Sequence, residues 1–255
     1  MKFKKLIAIL TLSPGLAFGA DANNSAWQFD VAPYLWAVNM DGTVKTGPLT
    51  THVSQSFSEI LSELDMGGML WAGAHKGPIG IFFNGLFADL TQKGEERSID
   101  ATLKTKFGIV AVGLSYIALQ KDFSNATVGD VSRLQLEPYV GARYTFNNVR
   151  LTLDSFSIQN NHHWTDPIVG LRVRYDITPQ WTTEVAGDIG GTNTTDDYSY
   201  NAAVLLGYTP KPFKCSTFYL GYHYLYQRYE TGSGLNLFDW DMKIFGPVIG
   251  VNFKF

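Results

Sequence analysis

Two neighbouring segments carry opposite charges at spacings that would bring them together. Arg172 and Arg174 precede residues 178–180, whose Pro and polar neighbours favour a tight turn, and Glu184 and Asp188 follow it. If that turn joins two antiparallel strands, Arg174 faces Glu184 directly, and Arg172 lies diagonal to both acids. Residues on the matching face of the preceding segment would join them. The spacing therefore predicts a lumenal charge cluster of Glu137, Arg143, Arg172, Arg174, Glu184 and Asp188.

Such a cluster has two possible roles if the strands close into a narrow barrel. Rings of a single charge sign select ions in a pore, whereas mixed signs form salt bridges that fill and fix the interior. The six residues are three arginines and three acids, so the sequence favours a salt-bridge network and leaves a narrow pore as the alternative.

A second group, His162, His163 and Asp166, has residue types that serve in metal sites and hydrolases. Asp154 and Ser155 are the nearest candidates for a catalytic partner. Adjacent histidines on a strand point to opposite faces, so they do not share one ligand geometry unless they lie in a loop. We therefore predict a protein that is not an enzyme, with no metal and no cofactor.

The elements that must position these residues show apolar residues at every second position, the pattern of a strand with one face in lipid. Reading back from Phe255, the apolar row is Phe253, Val251, Ile249, Pro247 and Phe245. The same alternation predicts an all-β, antiparallel, up-and-down transmembrane barrel of about ten strands (range 8–12). The predicted strands are 27–40, 66–76, 78–91, 98–118, 131–157, 164–178, 180–191, 197–209, 215–229 and 240–255.

Two features leave the strand count open. The apolar phase changes after Phe146, where Asn147-Asn148 is either a hairpin turn or a bulge within one long strand, and again near Gly108. An even count returns both termini to one side, which favours the bulge. Residues 41–65 are predicted as a long outer loop in which residues 56–64 form a short helix. That helix is a plug, a gate, a ligand lid or a segment packed on the rim.

The N-terminus has the pattern of a cleaved signal peptide. Lys2, Lys4 and Lys5 precede an apolar stretch, and small residues follow, so cleavage is expected after Ala22 or, alternatively, after Ala20. The domains are then a signal peptide, 1–22, and a barrel, 23–255. A net charge of −3 without a basic block argues against nucleic acid as a partner. The single cysteine, Cys215, excludes an intramolecular disulfide.

The signal peptide, the amphipathic segments and the terminal Gly-Val-Asn-Phe-Lys-Phe resemble those of Gram-negative outer-membrane β-barrel proteins. The resemblance implies that Phe255, Phe253, Val251 and Ile249 are the assembly signal that the barrel-assembly machinery recognises. It also implies outer-membrane lipid and lipopolysaccharide as partners. Residues 164–172 and 187–191 resemble those of an uncharacterised group of small barrels that has no assigned activity.

These observations predict a non-enzymatic outer-membrane barrel that is a narrow, porin-like pore for small solutes or has a structural or surface role. A barrel that binds a surface ligand or mediates adhesion is the alternative, and an outer-membrane lipid hydrolase is less favoured.

Overall fold

The computed structural model describes residues 21–96, 99–124, 131–153, 156–193 and 195–255. The predicted signal peptide lies outside these residues except for Asp21 and Ala22. The strands are β1 (Trp27–Trp36), β2 (Asn39–Thr46), β3 (Leu49–Gln55), β4 (Leu64–Lys76), β5 (Ile79–Glu96), β6 (Ile99–Tyr116), β7 (Leu119–Ser124), β8 (Val131–Leu153), β9 (Phe156–Asp176), β10 (Trp181–Gly191), β11 (Asp197–Tyr208), β12 (Ser216–Thr231) and β13 (Phe238–Lys254). The helices are α1 (Phe57–Glu63) and a 3-10 turn at Gly234–Asn236.

The strands form one closed antiparallel barrel with a wall of ten strands, which confirms the predicted fold class and strand number. Two wall strands consist of two segments each. Both β1 and β2 pair with β13, and both β6 and β7 pair with β8. The barrel closes where β1 meets β13, with Val31 opposite Phe253 and Trp36 opposite Val248.

The start of β1 and the end of β13 lie on one rim, beside the short connection between β4 and β5. Short connections are typical of the periplasmic side of outer-membrane barrels. We therefore call this rim periplasmic and the opposite rim distal. Strands β8 and β9 are longer than predicted, since their antiparallel ladder extends from Arg133 opposite Asp176 to Leu153 opposite Phe156. The predicted loop at 41–65 is likewise mostly regular structure, since β2, β3 and α1 occupy it.

The two faces of the wall follow the predicted alternation. Along β13 the side chains of Ile249, Phe253 and Phe255 are about half exposed on the outer surface, whereas Asn252 and Lys254 are buried in the lumen. A closed barrel with an apolar outer surface pairs most of its backbone groups within the wall, which is the condition for crossing a lipid bilayer with strands.

The outward apolar surface ends at a defined level below the distal rim. Outer-face ion pairs join Lys106 to Asp89 at 3.6 Å and Lys243 to Asp41 at 4.0 Å. Charged pairs of this kind are stable in water and costly in lipid. The strands above this level therefore project out of the membrane.

The expected bulge at Asn147-Asn148 is wrong. Asn147 pairs with Phe107 on one side and His162 on the other, and Asn148 continues both ladders without a shift in register. Gly108 is equally regular, between Phe87 and Phe146. The apolar phase changes because the surroundings of the wall change at this level, from lipid to water, and not because the backbone adds a residue.

The predicted helix is present as α1, which begins after the N-cap Ser56. The Ser56 hydroxyl accepts a hydrogen bond from the Glu59 backbone N–H at 3.4 Å, and the Ser56 N–H donates to the Glu59 carboxylate at 2.7 Å. The hydrogen bonds that the Ser56 N–H and hydroxyl donate to the Glu59 carboxylate lower its pKa. None of the helices in the described ranges is long and apolar enough to cross a membrane.

Candidate functional site

The structure places all six residues of the predicted lumenal charge cluster inside the barrel. Arg172 is at the centre. Its guanidinium donates to Glu137 at 3.0 Å and lies 3.4 Å from Glu184. It also lies over the rings of Trp71 and Tyr139, at 5.4 and 5.7 Å from their centroids. Two carboxylates and two aromatic faces thus surround one cation, which removes most of its access to water.

A second ion pair joins Arg143 to Asp188. The same carboxylate accepts a hydrogen bond from the Tyr139 hydroxyl at 3.0 Å and another from the Asn201 amide at 2.9 Å. Arg143 also donates to the Ser199 hydroxyl at 3.0 Å. Asp188 therefore has three donors, the arrangement that makes a buried charge tolerable.

Arg174 does not form its ion pair with Glu184, the residue that the sequence analysis placed opposite it. It lies directly opposite Glu184 in the ladder between β9 and β10, but its Nε donates to Asp176 on its own strand at 2.9 Å. Glu184 is paired with Arg172 instead. The reason is position along the barrel. Arg172 sits between two acids at the centre of the lumen, and Arg174 is one pleat nearer the periplasmic rim, where Asp176 is within reach.

Several residues of this site were not identified from the sequence. His75 meets Glu137 through Nε2 at 3.0 Å, and Trp71 and Tyr139 contribute the rings beside Arg172. Each occupies an inward position of its strand. The alternation of apolar and polar residues is therefore sufficient to predict that these three side chains face the lumen. It does not predict which residues they contact there.

The distal half of the lumen is filled by a different set of side chains, which we call the distal core. Trp164 stacks on Tyr229 with ring centroids 4.8 Å apart and meets Trp240 at 5.8 Å. Phe107 stacks on Trp240 at 5.9 Å. The buried members of the distal core are Phe107, Trp164, Phe238, Trp240, Met242 and Ile244. Met242 and Ile244 are 0% exposed, so neither side chain contacts water.

A cavity of about 230 Å³ lies in the lumen between the charge cluster and the distal core. Its polar lining comes from the charge cluster and from side chains on other strands, such as Asp30, Tyr34 and Asn252. Its apolar lining includes Trp36, Leu86, Ile109, Leu205, Leu225 and Val248. The cavity is therefore amphipathic.

The predicted alternative site does not come together as a catalytic or metal group. His162 stacks on Phe238 in the lumen with ring centroids 3.5 Å apart, whereas His163 lies beside Tyr144 on the outer side. Asp166 is 1% exposed and lies within hydrogen-bonding reach of Asp197 and Ser199. Asp154 and Ser155 lie outside the described residues. Within the described ranges there is no group of three or more His, Cys, Asp or Glu side chains placed to hold a metal.

Comparison with known proteins identifies the fold and no family. No family model and no curated protein matches the chain. The outer membrane protease OmpT of Escherichia coli matches 92% of this chain and 100% of its own, with a TM-score of 0.57 and 9% identity. The translocator domain of the autotransporter NalP from Neisseria meningitidis covers 91% of this chain and 90% of its own, at a TM-score of 0.38 and 9% identity. Ail, the attachment invasion locus protein of Yersinia pestis, covers 90% and 98%, at a TM-score of 0.34 and 11% identity.

The likeness to OmpT is one of fold alone. Together with the apolar outer surface, the polar lumen and the ion pairs that end the lipid-facing band, it identifies the chain as an outer-membrane β-barrel.

Proposed function

We propose that this protein is a non-enzymatic outer-membrane barrel that is closed along its axis and has a structural or surface role. The observation that carries the proposal is the distal core, which crosses the whole lumen. At this level Gln227 on β12 donates to Thr145 on β8 across the lumen at 2.9 Å, and both side chains are 0% exposed. A solute moving along the axis would have to displace this layer.

The charge cluster supports the same proposal from the periplasmic half. Its arginines are already paired with carboxylates, so no single-sign ring faces a permeating ion. Paired charges in a narrow lumen hold opposite walls together more readily than they select ions. The narrow pore is therefore the weaker of the two functions that the sequence left open.

A surface role is supported by the part of the barrel above the membrane. The hairpins there present exposed apolar side chains at their ends, with Leu49 at 72% and Leu235 at 84% exposure. Side chains of this kind in water favour contact with another surface. Adhesion or binding of a surface ligand is therefore our second candidate.

The proposal that the protein is not an enzyme rests on enclosure. OmpT is a protease, and histidine and acidic side chains are common general acids and bases in hydrolases. The accessibility of such side chains in this barrel therefore bears on the proposal. Asp166 and Asp197 are two neighbouring acids in the lumen and are 1% and 8% exposed. His162 is covered by Phe238. A substrate would not reach these groups without opening the distal core. Turnover of phospholipid or peptide that is abolished by Asp166→Asn would contradict this proposal.

Single-channel recording in a planar bilayer tests axial closure. We expect no steady conductance from the refolded protein. A variant with Phe238→Ala, Trp240→Ala and Met242→Ala should conduct, because it removes the widest side chains of the distal core. Phe253→Ala, which shortens a side chain on the lipid side, is the matched control and should stay closed. Stable, ion-selective conductance by the unaltered protein would favour the pore.

We also propose that the barrel-assembly machinery recognises the C-terminal strand. Phe255, Phe253, Val251 and Ile249 lie in one outward row that ends beside the periplasmic rim. Deletion of Phe255 should reduce the amount of heat-modifiable, membrane-embedded protein in cells. Deletion should leave refolding into vesicles nearly unchanged, and an equal loss in both assays would indicate a stability effect instead.

A further inference from the structure

The wall of the barrel has an incomplete seam between β1 and β4. The ladder begins with Trp27 opposite Lys76 and ends with Pro33 opposite Leu70. Above this level the chain after β1 pairs with β3 instead, and the distal part of β4 pairs with β5 alone. Among the described residues no backbone pair joins β3 to β4. The hydrogen-bonded wall of the barrel therefore has a gap between the distal part of β4 and the end of β1.

Side chains alone close the gap. The backbone N–H of Trp36 points toward β4, where the Met69 sulfur lies 3.0 Å away in place of a carbonyl oxygen. Tyr34, Val53, Ile60 and Met69, from the strands and the helix around the gap, pack against a buried apolar cluster that includes Trp36 and the distal core. A methionine has three flexible torsions and a soft thioether, so it moves aside at less cost than a backbone ladder.

The gap opens at the level of the outer leaflet. Leu70 is opposite Gly85, and Gly68 is opposite Phe87. The outer-face pair of Asp89 and Lys106, which marks the end of the lipid-facing band, lies one pleat above Phe87. A side chain added at Gly68 would meet nothing within 4 Å, so the β4 edge of the gap is open on its outer side. Leu35 and Leu70 flank it with 45% and 39% exposure to lipid.

The gap leads to the lumenal cavity. Tyr34 and Trp36 line both, and Leu86 and Ile109 continue the apolar wall inward. The Trp36 indole N–H is buried in a side chain that is 2% exposed, and it has no acceptor among the described residues.

We propose that this gap is a lateral portal through which the cavity takes up a small neutral amphiphile from the outer leaflet. The apolar side chains fit a short hydrocarbon body, and the unpaired Trp36 indole N–H fits a hydroxyl or carbonyl head as its acceptor. A cavity of about 150 Å³ holds benzene, so 230 Å³ suits about nine non-hydrogen atoms. The head is neutral because Arg143 and Arg172 already have carboxylate partners.

Lateral entry agrees with axial closure and does not depend on it. The distal core blocks the route from the cell exterior, whereas the seam borders lipid, where an amphiphile is concentrated. The portal is tested by the rate of exchange, and axial closure by conductance, so either proposal can fail alone.

Radiolabelled 1-octanol is the probe, measured by equilibrium binding and by exchange in nanodiscs of fixed lipid composition. Leu35→Cys with Gly68→Cys places two thiols on opposite edges of the gap, in a Cys215→Ser background. Val31→Cys with Ala72→Cys is the matched control, because these residues are opposite each other within the intact ladder below. A reducible bis-thiosulfonate linker joins each pair, so each molecule is compared with itself before and after reduction.

We expect saturable binding with about one octanol per barrel. The linker across the gap should slow exchange at least tenfold without changing the equilibrium occupancy, and reduction should restore the rate. The control linker should change neither. Trp36→Phe should weaken binding about fivefold, the loss of one hydrogen bond, and leave the exchange route unchanged. The proposal is overturned if octanol shows no saturable binding beyond lipid partitioning, or if the linked gap exchanges as fast as the reduced one.

Discussion

The two halves of the lumen are filled by opposite chemistries. In the periplasmic half Arg172 and Asp188 hold a network of paired charges inside a wall that is apolar on its outer face. In the distal half Trp164 and Met242 belong to an apolar core inside a wall that carries charges outside. The distal half is thus arranged like a soluble β-barrel, and the periplasmic half is its inverse.

The difference shows that the solvent around the wall decides which face is apolar. Strands β6, β8 and β9 run through both halves without a change in register, so their inward positions remain inward. On β6 the inward Ser115 lies in the membrane half and the inward Phe107 in the distal half, whereas the outward row changes from Leu114 to Lys106. Lipid outside requires polar residues to face inward, and water outside reverses the requirement.

The largest effect is expected from breaking the charge network. Arg172→Met should lower the free energy of unfolding by about 3–5 kcal/mol, because it leaves Glu137 and Glu184 buried without their cation. Adding Glu137→Gln and Glu184→Gln to the same chain should recover most of that loss. A urea titration of folding into vesicles measures both. A loss of only about 0–1 kcal/mol would indicate a wet, screened lumen.

The distal core should respond to lost volume instead of lost charge. Met242→Ala should cost roughly 2–5 kcal/mol, since the side chain is fully buried and leaves a cavity. Its outward neighbour Lys243 is the control, because its ion pair with Asp41 is half exposed and Lys243→Ala should cost about 0–1 kcal/mol. Equal losses at the two positions in the same titration would mean that the distal half is not packed as a core.

The outer face gives a direct test of where lipid ends. Val169 and Ser157 lie in the same outward row of β9, at mid-membrane and near the distal tip. Val169→Arg should cost about 2–4 kcal/mol, the penalty for arginine near the bilayer midplane, and Ser157→Arg close to zero. If both substitutions are tolerated equally in vesicles, the inversion between the two halves is not caused by the membrane.

The smallest effect is expected where the distal structure is most exposed. Ser56→Ala removes the N-cap of α1 and should destabilise that helix locally by roughly 0.5–2 kcal/mol. Hydrogen exchange of the helix amides should report this change, while the urea midpoint of the barrel stays the same. Hydrogen bonds from Ser56 lower the pKa of Glu59. This stabilisation is therefore present above the ordinary pKa of Glu59 and is lost as the pH falls through the lowered value.

The sequence alone determined the features that depend on neighbouring positions along one strand. Alternation identified the inward and outward faces, and turn residues placed the strands in order, so the ten-stranded barrel and the outward row ending at Phe255 were predictable. The capped helix after Ser56 was predictable for the same reason. Such signals are local, since a side chain two positions away always returns to the same face of a strand.

Only the tertiary structure decided what meets across the lumen. Arg172 takes Glu184 although Arg174 lies opposite it, and Gln227 reaches Thr145 from the far wall. The gap above Pro33 is likewise invisible in the sequence, because β1 and β4 are both regular strands there and only their pairing ends. These contacts depend on how the closed wall staggers its strands, a property of all ten together that no single segment carries.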